Sequence, residues 1–150
     1  MSTPDFLPGR RYLLRRYNTT TLKYDFLAIV ENKSLDQTNN YADTTAPDEA
    51  QPTNIPVRKS IKTTLQWDVT FSGMIDTSKL ALLRADCASE SPVNYAFEFV
   101  PTSGIGAGYY SGAIFFEKLT LAGEQKGMTS FSVSARGDDV LTWTDGAVPA

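Results

Sequence analysis

Hydrophobic and polar residues alternate most regularly across residues 61–74, where Leu65, Trp67, Val69 and Phe71 interleave with Gln66, Asp68, Thr70 and Ser72. A period of two puts successive side chains on opposite faces of a strand, so this stretch predicts one buried and one polar face. Two later segments repeat the pattern. Residues 94–100 set Tyr95, Phe97 and Phe99 against Ala96 and Glu98. Residues 129–136 set Phe131, Val133 and Ala135 against Ser130, Ser132, Ser134 and Arg136. Residues 11–17 predict a short first strand and residues 24–30 a compact apolar one, with residues 33–37 pairing back onto it. Residues 109–121 predict one long strand, or two joined by a bulge near Glu117 and Lys118. Residues 138–144 predict a final strand or arm.

The period changes once. Across residues 76–90, Leu80, Leu83 and Cys87 recur at helical spacing, and Asp76, Thr77 or Ser78 can cap the first turn. Pro92 closes the segment, because the residue before proline avoids helical geometry. Cys87 then reads as a small buried hydrophobe rather than a nucleophile. Residues 39–56 carry three prolines (Pro47, Pro52, Pro56) and the acids Asp43, Asp48 and Glu49, with Tyr41 and Ile55 as the only large apolar residues. Proline withholds a ladder donor, so this cannot be a central strand. A loop of this length is uncommon in a compact domain and is functional or disordered where it occurs. The expected architecture is therefore one mainly-β domain over residues 1–150. It is an antiparallel β-sandwich or open barrel of about seven strands, with one flanking α-helix and a long inter-strand loop. Residues 1–10 form an N-terminal arm and residues 138–150 a C-terminal strand or arm.

Composition adds mainly exclusions. The 150 residues carry a formal charge of −3, which argues against a module that grips nucleic-acid phosphates. The acidic excess falls after residue 60, with the clearest strands. A single cysteine permits no internal disulfide and suits a reducing compartment. The first residues lack the apolar core of a secretory signal, and no apolar run reaches membrane-helix length. Histidine is absent, which removes the commonest general base and metal ligand. The carboxylates Asp68, Glu98, Glu117, Asp138 and Asp139 read as solvated groups on polar strand phases or in turns rather than as a glycosidase pair. The glycines at 104, 106 and 108 read as a hairpin connection, since neither Lys-Ser/Thr nor a helix follows them. Arg10, Arg11, Arg15 and Arg16 alternate between strand phases and read either as an assembly contact or as solvated surface. No enzyme activity, cofactor or metal is expected.

One pattern is unusual. The polar phases of two strands consist almost wholly of small residues: Thr64, Gln66, Asp68, Thr70 and Ser72 on one, Ser130, Ser132 and Ser134 on the other. Such a face makes a smooth hydrated wall, or simply an exposed sheet.

From Tyr24 onward, the order of elements resembles the major tail tube proteins of long-tailed, siphovirus-like bacteriophages and related gene transfer agents. The likeness runs through the two early strands and the polar loop, then Leu65-Gln-Trp-Asp-Val-Thr-Phe-Ser-Gly73, the helix from Ser78 to Asp86 and the aromatic strand from Tyr95 to Val100. It ends in Phe115 to Leu121 and Gly127-Met-Thr-Ser-Phe-Ser-Val-Ser-Ala-Arg-Gly137. The resemblance implies a structural subunit of stacked hexameric rings, a virion tail tube for DNA delivery, made in the bacterial host cytoplasm. It implies partners in copies of itself, a tape measure protein and other tail proteins, with DNA passing unbound and no membrane involved. Thr64, Gln66, Asp68, Thr70, Ser72, Ser130, Ser132 and Ser134 become candidates to face the lumen. Residues 39–60 become an inter-ring loop carried by Tyr41, Asp43, Asp48, Glu49, Ile55, Arg58 and Lys59. Two alternatives stand beside it: a tail terminator on the same fold, and a monomeric carbohydrate-binding sandwich using Tyr41, Tyr109, Tyr110 and Trp143.

Overall fold

The alternation predicted around Trp67 is present from that residue onward in a strand, Ser60–Met74 (β4), in which Trp67, Val69, Phe71 and Gly73 are buried and their neighbours are not, whereas Leu65, read into the buried phase, is exposed. The computed structural model describes residues 6–27, 29–123, 125 and 127–149. Half of the proposed N-terminal arm, residues 1–5, and the C-terminal residue 150 lie outside them. A short 3-10 turn, Gly9–Arg11, leads into β1 (Tyr12–Asn18), followed by β2 (Lys23–Phe26) and β3 (Val30–Asp43). After β4 come the helix α1 (Thr77–Ala88), β5 (Val93–Phe99), β6 (Gly108–Ala122) and β7 (Ser130–Asp145). All seven strands belong to one antiparallel sheet, in the order β2-β1-β5-β6-β7-β4-β3.

Several boundaries differ from the sequence reading. Residues 24–30 are not one strand, because Leu27 turns inward, buried, and its N–H donates to the Leu14 carbonyl at 3.2 Å. Nor does the next strand pair back. β3 leaves for the far end of the sheet order. It also runs on to Asp43, so the loop is shorter than predicted and begins at Thr44. The predicted final arm is the continuation of β7. Its ladder with β6 is irregular between Phe116 and Lys118, at the predicted bulge, and again between Ser111 and Ala113. At the second irregularity Asp139 takes a positive φ of 62°, absorbing the extra length of β7.

The chain divides into two units, residues 1–35 with 68–150, and residues 36–67. In the larger unit, β5 is buried on both faces at Tyr95, Ala96, Phe97 and Glu98. One face carries an aromatic core in which Phe71, Tyr95, Phe116 and Phe131 pack with ring centroids 5.9–6.2 Å apart. Each such pair adds about 0.5–1.5 kcal/mol beyond its burial. On the other face the C-terminal segment crosses the strands: Val148 N–H donates to Glu98 Oε2 at 3.4 Å and Tyr24 N–H to the Pro149 carbonyl at 2.9 Å.

The smaller unit is the outer part of β3 and β4 with the segment between them. Thr44 N–H donates to the Lys59 carbonyl and Lys59 N–H to the Thr45 hydroxyl, each at 2.9 Å, which closes its base. Asp48 accepts from Ala50 N–H at 2.9 Å, forming a local turn.

Gly73 is required by close approach: a Cβ there would collide with the Ile29 carbonyl, just before β3. We expect Gly73→Ala to lower unfolding stability by about 1–3 kcal/mol. Gly9→Ala, with open space around it, should stay within about 0.5 kcal/mol of the wild type. Equal urea midpoints for the two variants would contradict this packing.

Candidate assembly interface

The register of the larger unit collects most of the predicted wall on one face. Thr70 stands opposite Ser134, Ser72 opposite Ser132, Met74 opposite Ser130 and Asp68 opposite Arg136. β6 extends the face, with Lys118, Thr120 and Ala122 opposite Ser134, Ser132 and Ser130. Thr64 and Gln66 share the phase of Asp68 along β4. In the smaller unit Asn40 Nδ2 donates to both, at 2.8 Å to Thr64 Oγ1 and 3.3 Å to Gln66 Oε1. Asn40 and Thr120 went unnamed in the sequence reading, and Glu117, Lys118 and Arg136 were named there but not assigned to the wall. Arg136 was visible as the next residue in the serine phase. Thr120 was hidden because the bulge at Glu117 shifts the phase of β6. Arg136 Nε pairs with Glu117 Oε1 at 3.0 Å, both well exposed, so the pair neutralises charge but adds little stability.

This wall has two open ends. β5 pairs with β6 only as far as Ile114. Beyond it, among the described residues, no strand lies against β6 on the side away from β7. The other end is β3, the last strand of the order.

Every predicted loop residue is exposed: Tyr41 and Asp43 at the end of β3, and Asp48, Glu49, Ile55, Arg58 and Lys59 beyond it. Ile55 is 92% and Val57 80% exposed. The Thr45 hydroxyl and N–H bonds hold the Asp43 carboxyl below its ordinary range.

The arginine cluster and the helix require correction. Arg16 makes a bidentate pair with Asp86, Nε–Oδ2 2.8 Å and Nη2–Oδ1 2.7 Å, and the Tyr95 hydroxyl donates to Asp86 Oδ2 at 2.6 Å. α1 is therefore rotated to bury Leu83 and Asp86, and Cys87 is exposed, not core. Glu98 is also buried rather than solvated. Its carboxylate lies 3.2 Å from Arg15 Nε. That distance makes an ion pair, but the angle leaves Nε without an aligned hydrogen bond. Arg11 donates to the Val100 carbonyl at 3.0 Å. Three of the four arginines thus serve this chain's own fold.

The sugar-platform aromatics do not converge. Tyr109 and Tyr110 are successive residues of β6 and face opposite ways. Tyr110 packs edge-on against Trp143 at 4.8 Å, whereas Tyr109 lies 6.3 Å from Tyr24. Among the described residues no helix is long and apolar enough to cross a membrane.

The fold is a single antiparallel sheet, with one helix on its aromatic face and a long loop between the edge strand β3 and its neighbour β4. No family model and no curated protein sequence matches the chain. Among solved structures it is similar to the tail of an empty gene transfer agent particle refined with C6 symmetry, with a TM-score of 0.73, 12% identity and 93% of this chain and 99% of that one covered. It is similar to the SPP1 tail tube, with a TM-score of 0.65, 10% identity and coverage of 94% and 80%. A tube-terminating cap of the anti-feeding prophage gives a TM-score of 0.66 at 10% identity, covering 97% and 95%.

Two measurements test the buried network. Asp86→Ala strands the Arg16 guanidinium and the Tyr95 hydroxyl, and we expect a loss of about 3 kcal/mol. This is the low end for a broken buried pair, since Arg16 keeps some exposure. Burial first, then the Asp86 charge and its hydrogen bond, hold the Tyr95 phenol well above its ordinary 10.0. The folded chain therefore keeps a proton that the unfolded chain releases. Stability is full below pH 10.0 and falls as pH rises toward the folded value. Denaturant midpoints should drop more steeply above that pH in the wild type than in Tyr95→Phe. Burial also raises Tyr24, so some slope remains in the variant; equal slopes would contradict the assignment.

Proposed function

We propose that this chain is a structural subunit that assembles into stacked hexameric rings, forming the tube of a phage-like tail through which DNA is delivered. The observation that carries this reading is the small-residue wall bounded by two open strand edges, set in a fold shared with tail tubes over nearly the whole chain. Open edges present unpaired N–H and C=O groups and are a hazard unless something covers them. Pairing the free stretch of β6 in one copy with β3 of the next satisfies both edges. It also repeats a heterologous contact that closes into a ring.

In such a ring the wall faces the lumen. Asp68, Thr70, Ser72, Ser132 and Ser134 offer a passing polyanion short hydroxyls and a carboxylate, and the carboxylates of Asp68 and Glu117 balance Lys118 and Arg136 in number. DNA then meets little positive charge to hold it. The exposed loop, with Ile55 and the basic Arg58 and Lys59, reaches the neighbouring ring. Tape measure and other tail proteins complete the set of partners, the virion tail is the destination, and the role requires no catalysis.

Electron microscopy of the purified protein at high concentration tests the reading. Tubes are the expected result. Single rings that never stack would indicate a terminator, and strictly monomeric protein would overturn the proposal. Asp68→Lys should assemble normally yet slow DNA delivery in an infection or transfer assay. Undiminished delivery would remove Asp68 from the lumen.

A further inference from the structure

A further apolar feature lies outside the wall and the buried network. Phe99, Tyr110 and Trp143 floor a hollow of about 320 Å³, rimmed by Leu7, Pro101 and Ile105. Ile105 is 83% exposed. The floor is a cluster of packed rings: Phe99 lies 5.9 Å from Trp143 and 6.2 Å from Tyr110. Trp143 Nε1–H donates to Asp145 Oδ1 at 2.8 Å. The indole's one donor is thereby satisfied, and its ring is left as apolar surface beside a fixed carboxylate. Aromatic floors of this kind supply the dominant contacts at protein interfaces.

The smaller unit carries the matching shape and charge. Ile55 and Val57 are nearly fully exposed on either side of Pro56, which restricts the backbone that presents them. Arg58 and Lys59 follow directly. An apolar pair with a basic flank complements an apolar hollow with Asp145 at its side. No basic side chain lines the hollow among the described residues, and Arg11, which reaches the Val100 carbonyl beside Pro101, is committed there.

Resting on the tube reading, we propose that the Ile55–Val57 segment of one copy docks into the Phe99–Tyr110–Trp143 hollow of a copy in the next ring, with Arg58 or Lys59 against Asp145. The two surfaces differ, so the contact is heterologous and propagates without limit, as stacking requires.

The test is a cysteine pair, Val57→Cys with Ile105→Cys, in a Cys87→Ser background that removes the exposed native thiol. Tubes are oxidised mildly, run on a non-reducing denaturing gel and imaged in parallel. A ladder of covalent multimers is expected. Tubes in the micrographs with only a monomer band would overturn the docking and leave the tube reading standing. So would a crosslink confined to single chains. Absence of tubes from the unsubstituted protein would overturn both. Independently, Asp145→Lys should shorten tubes about tenfold or more while rings persist. Adding Arg58→Glu and Lys59→Glu should restore length, and failure of that rescue counts against the charge pairing.

Discussion

Phe26 and Val30 are four residues apart in sequence, yet they belong to strands at opposite ends of a seven-stranded order. A fully extended chain covers at most about 14 Å over that distance. The larger unit must therefore curl until β2 and the start of β3 are neighbours. The Lys33 ammonium, 5.4 Å from the Tyr12 ring centroid, spans that closure. The curl decides what each face becomes. One face turns inward and can be filled only by large apolar groups, which Phe71, Tyr95, Phe116 and Phe131 supply. The wall face of β4 and β7 is left for small polar residues. Gly73 belongs to the same constraint, because the chain returning through Ile29 passes where a side chain would stand.

Within the curl, the Arg16–Asp86–Tyr95 network fixes the rotation of α1. Leucine spacing alone would seat Leu80, Leu83 and Cys87 against the sheet, and a helix held only by apolar packing can slide or turn at little cost. A carboxylate inserted between a guanidinium from β1 and a phenol from β5 has one acceptable position. Any rotation would bury an unpaired charge, and that penalty exceeds what seating Leu80 and Cys87 could contribute. Glu98 acts likewise on the opposite face, where it meets Arg15 and receives the Val148 N–H. Both devices place a charge where the alternating pattern allots a surface or core position.

That is where sequence reasoning succeeded and where it stopped. The strand around Trp67, the aromatic strand of Tyr95, the Asp76 cap and the bulge at Glu117 were legible, because each depends on local periodicity or a side-chain-to-backbone bond within a few residues. The burial of Asp86 and Glu98 was not legible, since it depends on arginines about seventy and eighty positions earlier in the chain. The far placement of β3 was hidden for the same reason: the turn at Leu27 is a tertiary contact with Leu14 and carries no proline or glycine mark. The wall was half visible. Its serines and threonines could be read from β4 and β7, but Thr120 fell out of phase at the bulge, and Asn40 lay in a stretch taken as loop.

The buried polar groups and the exposed surface divide the work between them. Asp86 and Glu98 are engaged by arginines and by hydrogen-bond donors, which fixes the elements that carry and surround them. Among what the described residues leave exposed are backbone at open strand edges, hydroxyls on one face and the apolar side chains of Ile55 and Val57 on the loop. Each of these is costly or idle in a lone molecule, and the proposed assembly would give each a use by repeating the same surface on a neighbouring copy. A sheet that curls but does not close its own hydrogen bonding is stable as a unit and incomplete as a surface. In the proposed assembly, repetition of the unit, and not a further element within it, would supply the missing partners.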